Sequence, residues 1–168
     1  RNRRITRHYI SASSMDFAKL LKPEAVKVLT AASSKKRLLH DIGELVGVVY
    51  GLDTGGIVES LLAREALGPT GVGHGVALPH ARVKGLEHVV GAFVLLERPV
   101  DFSAVDRQPV DIAFGLFAPE NAGVEHLKAL ALVSRTLRDT SICAKLRANP
   151  DPTTIYAILS EKQTSQAA

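Results

Sequence analysis

The stretch Thr70-Gly71-Val72-Gly73-His74-Gly75-Val76-Ala77-Leu78-Pro79-His80-Ala81-Arg82 gathers the residue types that could do chemistry. Gly71, Gly73 and Gly75 allow a tight backbone and close approach of a large polar group. Val76-Ala77-Leu78 reads as a short strand. Pro79, with its fixed φ and missing N–H, is expected to stop it. His80 then projects at a strand end, where α/β sheets meet their ligands. A neutral imidazole is nucleophilic at neutral pH, its unperturbed pKa being about 6.5. The loop is not a Walker loop, because it lacks G-K-[ST]. Nor is it a dinucleotide fingerprint, since no strand precedes it and no long helix follows. Taken alone, it could equally be a plain turn between a helix and a strand.

Arg64 and His126 are further candidates. Arg64 lies seven residues after Ile57 and three after Leu61, on their helical face. It is either a snorkelling side chain or a guanidinium fork aimed at an anion. His126 falls in the first turn of a helix, where backbone N–H groups favour an anion. Its ring either packs against a loop or donates a hydrogen bond to such a group. His74, His80, His126 and Glu125 contain no H-E-x-x-H and no helical i, i+4 pair, which argues against a metal. His74 reads as an exposed loop residue at the mouth of the site. His40 and His88 read as facing solvent or a strand edge. Arg82 and Lys84 read as a solvated loop, with docking of a partner as the alternative. Cys143 reads as a core residue rather than a nucleophile.

The positioning elements follow from periodicity. Ala25–Leu29 is a short first strand. Ser33 or Ser34 caps a helix reaching about Tyr50, with Leu38, Ile42, Leu45, Val46 and Val49 inward and Gly51 as its stop. Thr54 caps a second helix with Ile57, Val58, Leu61, Leu62 and Ala66 inward, ended by Gly68-Pro69. Val89–Leu96 is apolar on both faces, as an interior strand is. Val110–Phe117 alternates, and the small residues of one face leave room for a helix. A third helix spans Gly123 to about Arg138 with Leu127, Leu130, Ala131 and Leu137 inward. Two short helices follow, near Ser141–Arg147 and Pro152–Glu161. The expected fold is α/β (α+β): a single mixed β-sheet with helices on both faces.

Composition bounds the rest. The 168 residues are 46% hydrophobic and 23% charged, an ordinary mix for one globular domain. The formal charge is +4, but Arg1, Arg3, Arg4 and Arg7 all precede Met15. From Met15 onward, 17 basic residues balance 17 acidic ones, so the folded part is not a nucleic-acid binder by charge. Only the arm could touch RNA or a membrane surface. Residues 1–14 are read as a basic arm or extension, 15–162 as the domain and 163–168 as a tail, with Met15 as an alternative start. The longest apolar runs, Leu45–Leu52 and Val89–Leu96, are far short of a membrane span. One cysteine and no signal-peptide core at Ile5–Ser14 fit a cytoplasmic protein.

The glycine loop with Pro79-His80 resembles the phosphorylation site of enzyme IIA proteins of the phosphoenolpyruvate phosphotransferase system, fructose/mannitol superfamily. Ala63-Arg64-Glu65 is similar to the family's Arg-Glu pair before that loop. Asp106-Arg107-Gln108-Pro109-Val110-Asp111 resembles the D-x-Q-P-V-D stretch of its nitrogen-regulatory branch. Glu125-His126-Leu127 lines up with the family's second active-site histidine. Asp139-Thr140-Ser141-Ile142-Cys143 is similar to its next helix start. The likeness covers roughly residues 16–160 and departs in the arm and at His74.

The resemblance implies an enzyme IIA fructose/mannitol-like fold and a phosphotransferase with a phosphohistidine intermediate. His80 would take phosphate from an HPr-like phosphocarrier protein. Arg64 and His126 would stabilise the phosphate, with Gly71, Gly73 and Gly75 as the rim. No cofactor and no metal are implied. The output would be regulation of target proteins by phosphorylation state, without nucleic acid or membrane insertion. Two rivals are a sugar-transport enzyme IIA passing phosphate to a IIB protein, and a non-catalytic anion-binding module.

Overall fold

The computed structural model describes residues 15–161, so the basic arm and the tail lie outside it. In chain order the elements are α1 (Phe17–Leu20), β1 (Leu21–Leu29), α2 (Lys35–Tyr50) and α3 (Thr54–Ala66). Next come β2 (Gly71–Gly73), β3 (Val76–Ala77), β4 (His80–Val83), β5 (Val90–Val100) and β6 (Val110–Pro119). Three helices close the chain: α4 (Val124–Arg138), α5 (Thr140–Ala148) and α6 (Pro152–Ser160).

The apolar run at 89–96 becomes the middle of the sheet. The strand order is β1-β5-β6-β3-β2, with β4 also on β6. β5 runs parallel to β1 and antiparallel to β6, and Gly91 to Leu96 are buried. Layers cover both faces. Ile42 of α2 lies over Gly115, where an added Cβ would come within 2.9 Å of its Cγ2. On the opposite face, Phe17 of α1 meets Phe114 edge-on at 5.7 Å. This is the single mixed sheet that the patterning predicts, and the small residues of β6 do admit a helix.

Several expectations change. β1 begins at Leu21 rather than Ala25, because Leu21 pairs with Gly91 before a bulge carries the exposed Lys22-Pro23-Glu24. Hydropathy alone does not reveal a strand interrupted by exposed polar residues and proline. The N-cap of α3 is Asp53, not Thr54. Thr54 Oγ1 instead packs onto Gly47 of α2, where a Cβ would come within 2.1 Å of it. In α3 the inward residues are Ile57, Val58, Leu61 and Glu65, and Ala66 is exposed. In α4 the buried residues are Ala129, Val133 and Leu137, while Leu127 and Ala131 face out.

The largest revision concerns Pro79. Val76 pairs with Ile112, Ala77 with Ala113, and His80 through Val83 pair with Leu116 through Pro119. The offset is constant, so β3 and β4 follow one parallel path along β6. Leu116 N–H donates to Pro79 O at 2.9 Å across the join. Proline withholds its own donor without ending the path. His80 is the first residue of β4, not a residue beyond the last strand. Arg82 is likewise a strand residue rather than a loop residue. Its Nη1 donates to Glu120 O at 2.8 Å and to Ala122 O at 3.2 Å, holding the turn into α4.

The α2–α3 contact sets where Arg64 stands. A Cβ at Gly47 would press on Thr54 Oγ1 and come within 3.2 Å of Leu52 O and Thr54 Cα. Helix propensity alone would make Gly47→Ala stabilising by about 1 kcal/mol. Overpacking is expected to win, with a net loss of about 1–3 kcal/mol in unfolding free energy. Urea unfolding measures the sign directly.

Candidate active site

Three elements from separate parts of the chain converge on His80. β4 supplies His80 itself, the last turn of α3 supplies Arg64, and the first turn of α4 supplies His126. Arg64 Nε donates to His80 Nε2 at 3.1 Å. The His80 and His126 ring centroids are 6.2 Å apart. The structure thus brings together all three side chains singled out from the sequence.

The hydrogen bonds assign the His80 tautomer. Nδ1 lies 3.0 Å from Leu78 O. A carbonyl only accepts, so Nδ1 carries the hydrogen. Arg64 Nε–H needs an acceptor, so Nε2 carries the lone pair. Two independent contacts therefore agree that Nε2 bears the lone pair. Arg64 Nη1 also donates to Gly68 O at 3.1 Å, which fixes the guanidinium plane. The fork has five N–H groups, so donors remain for an anion's oxygens.

His126 is half-buried and its pKa is lowered from the ordinary value. Loss of solvation is the main cause, followed by repulsion from His80 when that ring is protonated and from Arg82. Its Nδ1 is buried without a hydrogen-bond partner. Orphaned buried N–H groups are rarer than under-satisfied acceptors. We therefore assign the hydrogen to Nε2, which makes that nitrogen the donor. Glu125 steadies the same turn, its Oε1 accepting from Val89 N–H at 3.2 Å.

Gly71, Gly73 and Gly75 form a tight hairpin rather than an open loop. Gly71 pairs with Ala77 and Gly73 with Val76. His74 and Gly75 at the tip have φ of 56° and 78°. A Cβ on Gly71 would come within 2.8 Å of Ala104 Cβ, and one on Gly75 within 2.8 Å of Arg147 Nη2. These glycines thus face residues 102–111 and α5. Arg147 clamps the tip, pairing with Asp111 Oδ2 at 2.8 Å and donating to His74 O at 2.9 Å. The link from hairpin to site is covalent and short, through Leu78 and Pro79.

His74 and His88 are exposed, as expected, and His40 is half-buried. Cys143 is buried, with Sγ donating to Leu137 O and burial raising its pKa. Among the described residues no three His, Cys, Asp or Glu side chains group as metal ligands. No helix among them is long and apolar enough to cross a membrane. The sequence reading gave Glu65 no role, yet it is buried at the junction of α2, α3 and the hairpin. The signal was present: Ile57, Leu61 and Glu65 follow a four-residue spacing, which puts a carboxylate on the apolar stripe.

Comparison with known proteins shows the family and the fold. The family model described as phosphoenolpyruvate-dependent sugar phosphotransferase system, EIIA 2, matches residues 19–162. A nitrogen regulatory protein of Bradyrhizobium diazoefficiens is 45% identical over 145 residues, covering 86% of this chain and 95% of the relative. A nitrogen regulatory protein of Escherichia coli is 36% identical, covering 90% of this chain and 93% of the relative. The solved nitrogen regulatory protein IIA-Ntr of Neisseria meningitidis is 38% identical with a TM-score of 0.78, covering 85% of this chain and 98% of that one. The mannitol IIA of Escherichia coli, at 23% identity and a TM-score of 0.69, covers 82% of this chain and 97% of that one and shares the fold.

The depressed His126 pKa fixes a pH dependence. The unfolded chain takes up this proton near pH 6.5, before the folded protein does. The stability from keeping the ring neutral is therefore complete above about pH 7 and falls as pH drops below about 6.5. The fall ends once pH passes below the folded value. Urea midpoints across pH 5–8 should show a shallower acid-side decline in His126→Gln than in wild type. Parallel curves would contradict the assignment.

Proposed function

The chain belongs to the EIIA 2 family of the phosphoenolpyruvate-dependent sugar phosphotransferase system, and on that premise we propose that it is a phosphocarrier whose acceptor is His80 Nε2. Family membership carries phosphotransfer as the activity. The observation that carries the finer reading is the pair of contacts on His80. Leu78 O holds Nδ1–H, while Arg64 aims a guanidinium at the bare Nε2.

The donor is an HPr-like phosphohistidine protein. Its phosphoryl group passes in line to the Nε2 lone pair. The N–P bond of the donor breaks and its electron pair stays on the donor imidazole. Such a transfer needs positioning and charge stabilisation more than covalent help. As the N–P bond forms, Arg64 Nε yields Nε2 and the fork turns its donors to the phosphoryl oxygens. His126 Nε2–H adds a second donor from the start of α4. Neutrality suits it for this: a hydrogen-bond donor held uncharged does not repel Arg64 or the incoming imidazole.

A protein donor fits the surface. Leu67 at 85%, Val72 at 59%, Val124 at 66% and Leu127 at 64% exposure lie on the segments that carry Arg64, the hairpin and His126. Exposed apolar side chains on the segments that frame one site give a protein partner apolar surface to bury. Phosphorylation adds about two negative charges beside Arg64. Partners that read that charge would distinguish the two forms, and the proposed output is regulation of such partners in the cytoplasm. The nitrogen regulatory names of relatives at 36–45% identity support this branch over sugar transport.

Incubation with phosphoenolpyruvate, enzyme I and the phosphocarrier should add one acid-labile phosphoryl group by intact mass. His80→Ala should gain none. Stoichiometric labelling of that variant would sink the assignment. Arg64→Ala should slow labelling by roughly 10²-fold, the scale of losing one aimed donor. Transfer onward to a IIB cysteine would move the reading to sugar uptake, and no labelling with any donor to an anion-binding module.

A further inference from the structure

We infer that Glu65 is a positioning residue that sets the tautomer of His80 from a distance, through Thr70 and Leu78. The inference rests on His80 being the phosphoacceptor. It assigns a role to a residue that touches neither ring.

The connection is a continuous run of hydrogen bonds. Glu65 Oε1 accepts from Thr70 N–H at 2.9 Å, and Oε2 accepts from the Thr70 hydroxyl. Thr70 O then accepts from Leu78 N–H at 3.0 Å. Leu78 O in turn accepts from His80 Nδ1–H at 3.0 Å. Thr70 and Leu78 are each held at their N–H by one bond and offer their C=O to the next, with a single Cα between the two peptide groups. The orientation of the Leu78–Pro79 peptide, and with it the direction of Leu78 O, depends on where Thr70 is pinned. Pro79 fixes its own φ, so little freedom remains between that carbonyl and the ring it faces.

Glu65 is built for this task rather than for solubility. Its side chain is 6% exposed, and Lys35 of α2 pairs with Oε1. Lys35 Nζ itself sits 4.7 Å from the centroid of the Phe102 ring. Both carboxylate oxygens are thus engaged, and one group ties α2, the end of α3 and the base of the hairpin together. Buried charge without such partners is strongly unfavourable. A paired carboxylate at this position gives two charge-assisted bonds to one residue, which is a stiff joint. Its neighbour Arg64 approaches the other nitrogen of the same imidazole. One helix end therefore addresses His80 twice: directly at Nε2, and through the hairpin at Nδ1.

The test separates positioning from folding. Lys35→Met combined with Glu65→Leu removes both charges while keeping the volume apolar, and releases Thr70. Thr70→Val removes only the hydroxyl bond, and Thr70→Ser preserves it. Imidazole ¹⁵N shifts in otherwise unlabelled protein read the tautomer without any phosphate. Single-turnover phosphorylation reads the transfer rate and the half-saturating donor concentration.

Wild type and Thr70→Ser should show His80 with Nδ1 protonated and Nε2 bare. The double variant and Thr70→Val should show both tautomers. Their transfer rate should fall about tenfold, the lower end of what loss of an orienting partner costs a histidine. The half-saturating donor concentration should stay unchanged. A wild-type ¹⁵N pattern in the double variant overturns the inference. If that variant does not fold, the same pattern in Thr70→Val overturns it alone. Absence of phosphate uptake by wild type would defeat the phosphoacceptor reading instead, and the ¹⁵N spectra would still decide the part played by Glu65.

Discussion

The hydrogen bond from His80 Nδ1 to Leu78 O, seconded by Arg64 on Nε2, sets which imidazole nitrogen bears the lone pair. Everything around the site serves to hold that carbonyl and to exploit the nitrogen it leaves bare. The carbonyl belongs to a residue on the β3–β4 path, locked in parallel register against β6. Pro79 follows it and cannot donate, so the path narrows to a place where the side chain of His80 can be met from the side. A strand edge built this way is rigid along its length and open laterally, as the proposed transfer between proteins requires.

The electrostatics follow from the same layout. Arg64 approaches from the C-terminal turn of α3, where helix carbonyls favour a cation, and it caps Gly68 O while reaching His80. His126 approaches from the N-terminal turn of α4, where unpaired N–H groups favour an anion. Two helix ends of opposite polarity thus flank one imidazole. Arg82 adds positive potential beside His126 while tying down the turn into α4. The site is poised for negative charge before any arrives, and the cost of ordering it is met by folding.

Close packing makes this convergence possible. Gly43 and Gly47 of α2 let α3 approach to a distance a Cβ would forbid, and Gly115 of β6 does the same for α2 on the sheet. Removing these clearances would shift the end of α3, and Arg64 with it. At the other end of the hairpin, Arg147 and Asp111 hold the tip while Glu65 and Lys35 hold the base. The hairpin is clamped twice because, among the described residues, β2 pairs only with β3, which is two residues long.

Much of this was legible in the chain. Residue type and period placed α2, β6, α5 and the start of β5 within a residue or two, because burial of apolar stripes is decided locally by spacing, whereas β5 runs four residues past Leu96 through exposed polar residues. The motif around His80, with Arg64 and His126, marked the three side chains that the fold brings together. Where patterns misled, a tertiary contact had overruled a local rule. Leu127 lies near the apolar stripe of α4 yet is exposed, because the helix turns Ala129, Val133 and Leu137 to the sheet. Thr54 had the type of a cap but lies one residue inside the helix, its Oγ1 filling the space that a side chain on Gly47 would need. Pro79 had the type of a strand stop, but a parallel neighbour can lose one donor and keep its register. The sequence alone determined which groups are available and which faces are apolar. Only the tertiary structure decided that Glu65 is bound to Thr70, that Arg64 meets Nε2 and that Leu78 O meets Nδ1. Those are contacts between directions in space, and periodicity along a chain carries no information about direction between elements.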